Sequence, residues 1–283
     1  MLHLLYNPHA DGGKGTESAQ EAAAALQGAG LEVNCTDSAS IELNEFCKGL
    51  KEGDELAILG GDGTLNYFIN HIEEIPSVPV YLYAAGTGND FLNDIKEYVE
   101  PVNNLYRINN FLVGLPRVEV KGKTYRFING IGFGVDGECC VVAEEKLKAG
   151  ETDINYSKIS ISLLLGPFIP RKATVTIDGG EPLTFEGVWL ASCMNGRYYG
   201  GGMKIAPDQK RNSDFLTFVC VNKKGRIRTL LAFPGIQKGK HVGKKWAYFQ
   251  QGKCVEVTFD QPCGLQIDGE VVPEVTTYKA YLA

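Results

Sequence analysis

Apolar residues in the first third of the chain come in short blocks, each closed by turn residues and followed by a polar, helix-favouring stretch. Leu2 to Tyr6 predicts a buried strand and Asn7 to Gly15 a turn. The Ala/Glu/Gln-rich Thr16 to Gln27 predicts a helix, capped by Thr16 and ended by Gly28 to Gly30. A second strand over Leu31 to Thr36 and a second helix over Ile41 to Leu50 follow. Glu55 to Leu59 is almost wholly apolar and predicts a third strand that stops at Gly60-Gly61. A helix over Thr64 to Ile72 leads to a fourth strand, Val78 to Tyr83, that closes at Ala84-Ala85-Gly86. Strands alternating with helices at this spacing imply a doubly wound parallel sheet, an α/β unit over residues 1–114.

Beyond about residue 115 the pattern shortens to β-branched or aromatic runs between turns such as Asp178-Gly179-Gly180 and Asp268-Gly269. Strands are predicted at Arg117 to Val120, Tyr125 to Asn129, Ala173 to Ile177, Val188 to Met194, Leu216 to Val221, Val255 to Phe259 and Gly264 to Ile267. Together they point to an antiparallel β-sandwich over 115–283, with helical insertions near Cys139 to Lys148, Ile159 to Leu165 and Ile227 to Phe233. Neither an internal repeat nor a long linker separates the halves, so a shared cleft is expected.

Composition narrows the function. With 44% hydrophobic and 22% charged residues the chain is globular, and a net charge of −6 argues against a nucleic-acid binder while leaving room for a local basic patch. Eight cysteines lack C-x-x-C spacing, which suits reduced thiols in a cytoplasmic protein. The N-terminus shows none of the marks of a signal peptide. The longest apolar run, Ile159 to Pro170, is broken by Ser, Gly and Pro and falls short of the ~20 residues of a transmembrane segment.

The strongest chemical signal is Gly60-Gly61-Asp62-Gly63-Thr64, set where a buried strand ends and a helix begins. Glycines there let backbone N–H groups approach a phosphate, and a helix N-terminus adds partial positive charge. A tight turn with Thr64 as helix cap explains any single glycine, but not the whole run. The block is neither a Walker loop nor a G-x-G-x-x-G fingerprint. Gly86-Thr87-Gly88-Asn89-Asp90 closes the next strand and brings a second carboxylate to the same edge, which invites Mg²⁺ beside phosphate; Asp90 as a simple cap of the following turn is the alternative. Asn7 to Gly15 closes the first strand at that edge. Its Lys14 reads equally as a phosphate ligand and as a solvated surface lysine.

With these blocks in view the chain resembles the diacylglycerol kinase catalytic-domain family, the lipid kinases that include bacterial diacylglycerol, sphingosine and ceramide kinases. The likeness rests on Asn7-Pro8 with its glycines, Gly60 to Asn66, Gly86 to Phe91, Asn129-Gly130-Ile131-Gly132-Phe133, Asn195 to Pro207 with Gly200-Gly201-Gly202, Asp214 before Leu216, and Ile267-Asp268-Gly269-Glu270. Gly-Gly-Asp-Gly-Thr is shared with NAD kinases, and a related sequence occurs in phosphofructokinases; the later blocks separate them. The resemblance implies ATP and Mg²⁺ in a cleft between an NAD kinase/phosphofructokinase-like domain and a β-sandwich domain. It places Asn7, Pro8, Gly12, Gly13, Thr36, Gly60, Gly61, Asp62, Gly63, Thr64, Leu65, Asn66, Gly86 and Thr87 against the nucleotide. It assigns Asp62 and Asp90 to the catalytic Mg²⁺ and Glu270 to general-base catalysis. A structural Mg²⁺ is implied at the Asp214 turn, with the carbonyls of Arg211 and Leu216.

Glu270 read without the resemblance is an exposed residue after a hairpin turn. Two departures stand out: Ala10-Asp11-Gly12 in the first loop, and Phe215 where the family has glycine after the metal aspartate. Lys238, Lys240, Lys244 and Lys245 around His241, ahead of Trp246, Tyr248 and Phe249, read as a headgroup-facing patch or, more simply, as a solvated loop. The four histidines show no ligand spacing. The expectation is a cytoplasmic kinase acting on a lipid at the membrane surface. An NAD kinase and a silent nucleotide-binding regulator are the competing readings, and the lipid, GTP use and a homodimer stay open.

Overall fold

The computed structural model describes residues 1–85, 89–151, 154–222 and 225–283, the Asp11 side chain excepted. The chain divides into two units, Met1–Val113 and Gly114–Ala283. In the first, strands β1 (Leu2–Tyr6), β2 (Val33–Asp37), β3 (Glu55–Gly60), β4 (Val80–Ala84) and β5 (Leu105–Arg107) lie in the order β2-β1-β3-β4-β5. The first four are parallel, and β5 runs antiparallel to β4. Leu56, Ala57, Ile58 and Leu59 of β3 are buried in succession, as a strand covered on both faces requires. Helices α1 (Ala10–Gly13), α2 (Gly15–Gly28), α3 (Leu43–Lys48), α4 (Asp62–Asn70), α5 (Asp90–Ile95) and α6 (Asn109–Leu112) connect them. Ala19, Ala22, Ala23 and Leu26 of α2 recur at helical spacing and pack on Leu2, Leu4, Ala57 and Leu59.

Helix starts differ from the sequence expectation for identifiable reasons. Helix α2 begins at Gly15, and no side chain caps it. A Cβ on Gly15 would lie 1.9 Å from the Asn7 carbonyl oxygen, so the chain enters the helix through a contact that only glycine permits. The residues ahead of it wind into α1 instead of an open turn. Thr64 lies inside α4, whose N-cap is Gly61, and so does not cap it.

The second unit is antiparallel throughout its described pairings. Its strands are β6 (Arg117–Val120), β7 (Lys123–Arg126), β8 (Gly130–Phe133), β9 (Arg171–Ile177), β10 (Leu183–Val188), β11 (Leu190–Met194), β12 (Leu216–Val221), β13 (Ala247–Gly252), β14 (Cys254–Ile267) and β15 (Glu270–Tyr281). Strand β14 joins the layers: Val255 to Phe259 pair with β9, whereas Leu265 to Ile267 pair with β8. Register shifts between Thr258 and Leu265 let it bend from one partner to the other. Phe133 stacks on Phe259 at 4.0 Å between ring centroids, and Tyr278 donates to the Ala191 carbonyl at 3.2 Å. Helices α7 (Val135–Lys148), α8 (Tyr156–Leu165) and α9 (Arg226–Gln237) complete the unit. Among the described residues no helix is long and apolar enough to cross a membrane.

His241 is fully buried, and its Nε2 lies 2.9 Å from the Ile205 carbonyl oxygen. That oxygen only accepts, so Nε2 carries the proton and Nδ1, which has no hydrogen-bond partner, is the basic nitrogen. Burial lowers its pKa. The unfolded chain therefore binds this proton more readily, and stability should fall as pH drops below the unfolded value of about 6.5. Denaturant midpoints measured from about pH 7 to pH 5 should decline less steeply in His241→Phe than in the wild type.

Candidate active site

Strands β1, β3 and β4 are neighbours and end at one edge of the parallel sheet, with Tyr6 opposite Leu59 and Gly60 opposite Ala84. The Asn7 loop and the Gly60-Gly61 bend leave that edge side by side. The third bend starts beside them at Ala85, while Gly86, Thr87 and Gly88 lie outside the described residues. Strand order reverses between β1 and β3, the position where open α/β sheets hold ligands. Thr36 sits on β2 opposite Leu5, half-buried.

The glycines of the central bend have different physical reasons. Gly60 has φ +155°, and a Cβ there would meet Thr64 Oγ1 at 2.3 Å, so packing of α4 on the strand end requires it. Gly63 has neither reason: its φ is ordinary, and no described atom lies within 4 Å of the position its Cβ would take. It stands exposed in the first turn of a nine-residue helix whose N-cap makes no side-chain hydrogen bond. A position without a side chain in the first turn of a helix fits a phosphate group. Leu65 is fully buried and offers a ligand only its backbone, and the carboxamide and carbonyl of Asn66 both accept from Asn70 Nδ2.

Asp62 ties two glycine-rich blocks together. Its Oδ2 accepts the Asp90 amide at 2.7 Å and its Oδ1 the Phe91 amide at 2.9 Å, so Asp62 rather than Asp90 caps α5. The clamp holds the Asp62 carboxylate on the Asp90 backbone, and Asp90 is itself buried at 3% exposure. Each carboxylate is a hard-oxygen donor of the kind Mg²⁺ takes, through one or two carboxylates with its waters kept. In the first loop Asn7 Oδ1 accepts the His9 amide at 2.9 Å, Pro8 is half-buried, and Gly12 and Gly13 end α1 with φ of +66° and +92°.

In the sandwich unit the later blocks meet at one hairpin. Ile267 pairs with Glu270 across the two-residue turn Asp268-Gly269, whose φ values of +50° and +99° fit a hairpin turn of the primed type. The Asp268 carboxylate accepts the amides of Ile128, Asn129 and Gly130 at 2.6, 2.8 and 2.9 Å. Arg211 donates to the Ile128 carbonyl and to Asn129 Oδ1, both at 2.5 Å, and Asn195 Nδ2 donates to the same Ile128 carbonyl at 2.9 Å. Glu270 follows the turn as the first residue of β15, exposed. Gly130 and Gly132 are needed for packing, since a Cβ would meet Met194 Sδ at 2.5 Å or Asp136 Oδ2 at 2.1 Å.

At the Asp214 turn Gln209, 2% exposed, donates from Nε2 to the Lys210 carbonyl, Ser213 Oγ and the Phe215 carbonyl at 3.0, 3.0 and 3.1 Å. Its Oε1 accepts from Thr217 at 2.5 Å. Asp214 is exposed, and among the described residues no three His, Cys, Asp or Glu are grouped to hold a metal. The carbonyls that Gln209 Nε2 reaches are those of Lys210 and Phe215, not the Arg211 and Leu216 carbonyls that the resemblance assigns to a cation. Gln209→Ala should lower stability by about 1–3 kcal/mol, which thermal melts test.

One acidic residue escaped the sequence reading. Asp136, in the first turn of α7, borders a cavity of about 30 Å³ whose walls include Leu164, Trp189, Met203 and Phe233. Tyr199 donates to its Oδ2 at 2.7 Å and Ser192 to the same oxygen at 3.3 Å. Burial raises its pKa, against the pull of the Tyr199 hydroxyl and the first amides of α7. The signal available in sequence was an acid two residues after the Gly-Ile-Gly-Phe-Gly block.

A parallel α/β unit with glycine bends on adjacent strand ends, followed by an antiparallel sandwich, defines the fold class of the diacylglycerol kinases. Residues 1–111 match the model of the diacylglycerol kinase catalytic domain, and residues 129–281 that of the YegS C-terminal NAD kinase beta sandwich-like domain. The chain belongs to the family that pairs a diacylglycerol kinase catalytic domain with a YegS C-terminal NAD kinase beta sandwich-like domain. The diacylglycerol kinase of Staphylococcus carnosus is 26% identical over 286 residues, 94% of this chain and 87% of that protein. That of Bacillus subtilis is 25% identical over 231 residues, 78% of this chain and 72% of that protein. The crystal structure of a diacylglycerol kinase from Bacillus anthracis str. Sterne shares the fold with a TM-score of 0.60 at 16% identity, over 99% of this chain and 93% of that one. Another structure from the same organism reaches a TM-score of 0.68 at 20% identity, over 100% and 92%.

Proposed function

We propose that the chain transfers the γ-phosphoryl group of ATP to a hydroxyl of diacylglycerol or a related lipid. Gly63 carries the nucleotide half of this reading. Among the described residues nothing accounts for its missing side chain, which supports a ligand that approaches the α4 N-terminus closely. The lipid half is supported by the relatives named diacylglycerol kinase.

In the proposed reaction the lipid oxygen attacks γ-phosphorus, the bond from that phosphorus to the bridging oxygen breaks, and ADP leaves. The hydroxyl proton passes to the Glu270 carboxylate. Asp62 and Asp90 would hold Mg²⁺, which would supply neutralisation of phosphate charge. The amides at Gly61 to Thr64 orient the phosphates, and Asn7, Gly12, Gly13 and Thr36 border the same sheet edge. Catalysis of this kind is mostly positioning, which suits a site built from backbone amides.

Gly63→Ala tests the nucleotide half. Alanine at this helical position should leave stability equal or higher by about 0.5–1 kcal/mol, yet lower ATP affinity more than about tenfold, a loss of ~1.4 kcal/mol. Calorimetric titration with ATP and a thermal melt decide it. Unchanged affinity would remove the argument from Gly63.

A further inference from the structure

Helices α8 and α9 pack against each other on the sandwich core and are joined where Arg226 Nη1 donates to the Leu164 carbonyl at 3.3 Å. Their inner positions, among them Ile159, Leu163 and Ile236, are buried. Their outer faces carry exposed aliphatic side chains: Ile161 is 39% exposed, Leu165 56%, Ile227 70% and Leu231 76%, with Ile169 just beyond α8 at 61%. Ile161 and Leu165, like Ile227 and Leu231, stand four residues apart, so each pair forms one stripe.

Charge along these two stretches of sequence is one-sided. From Phe215 to Val255 the chain has nine Lys or Arg and no Asp or Glu, and from Ile154 to Ile177 three and none, although the whole chain has a net charge of −6. Exposed aliphatic stripes set in an acid-free, basic stretch of an acidic protein match the chemistry of an anionic bilayer: side-chain tips enter the acyl boundary while Lys and Arg meet headgroup phosphates. A second copy would oppose two surfaces of the same sign, and nucleic acid would leave the aliphatic tips unused. We propose that the outer faces of α8 and α9 are the surface by which this protein docks on anionic membranes. The inference rests on the lipid-kinase reading for its occupant. Docking there would hold the Asp136 cavity, walled by Leu164 of α8 and Phe233 of α9, directly beneath the membrane-facing helices.

The test is co-sedimentation of the full chain with phosphatidylcholine vesicles, with and without phosphatidylglycerol. Wild type should bind the anionic vesicles and release them as salt rises. Ile227→Glu/Leu231→Glu should lower the bound-to-free ratio more than about tenfold, and Ile227→Ser/Leu231→Ser should lower it less, with unchanged melting temperatures. Phosphorylation of a short-chain diacylglycerol in solution should match wild type in both variants. Equal vesicle binding by wild type and the Glu variant, equal binding to both vesicle types, or none to either would overturn the proposal. Anionic-vesicle binding that depends on these residues, with no lipid phosphorylated, would uphold the docking surface and remove the kinase reading alone.

Discussion

Glu270→Gln should reduce phosphoryl transfer by ~10²- to 10⁴-fold while leaving ATP affinity and the melting temperature at wild-type values. The side chain is exposed at the start of β15, so its replacement by an isosteric amide disturbs no packing. A Gln amide cannot take the proton that the attacking hydroxyl must lose. The hairpin that carries it would keep its form, because that form depends on Asp268 and Gly269. Single-turnover transfer beside calorimetric ATP titration separates chemistry from binding; transfer at the wild-type rate would strip Glu270 of the general-base role.

Asp268→Ala should be the most destabilising exposed-loop substitution, by about 3 kcal/mol or more, and should depress transfer as well. It removes the acceptor of three amides and places alanine at φ +50°, where Cβ sterics disfavour it. Asp268→Asn tolerates that backbone and keeps one acceptor oxygen, so it should retain part of the stability. Denaturant midpoints should order wild type above Asn above Ala. The same order in transfer rate, with ATP affinity constant, would identify Asp268 as the residue that positions Glu270. Equal midpoints for all three would contradict the clamp.

The α/β unit was largely legible in sequence because β1, β3 and β4 are mostly apolar runs that stop at glycine, alanine or a turn. The sandwich was legible as a class but not in its connections. Strand β8 hid behind its glycines, whose purpose is close packing against Met194 and Asp136. Strand β15 hid behind Pro273 and Glu274, the latter at φ +51°, which break the alternation expected of a strand. Helix α5 was missed because its cap, Asp62, is supplied from another loop and not from the residues before it.

Site residues followed the same rule. Those marked by glycine next to a strand end were readable, because backbone approach leaves a compositional trace. Those that act through contacts distant in sequence were not: the Arg211 guanidinium holds Ile128 and Asn129, and Asp268 holds the same segment from the opposite end of the unit's sequence. Gln209 was passed over for a similar reason, since nothing local predicts that one carboxamide closes the turn from Lys210 to Thr217.

Transfer of label from γ-labelled ATP, with Mg²⁺, to diacylglycerol vesicles and to NAD in parallel reactions tests the central claim most directly. The proposed function predicts label in the lipid phosphate and none in NAD. Label in NAD alone, or in neither acceptor and in no lipid of a total extract despite tight ATP binding, would contradict it.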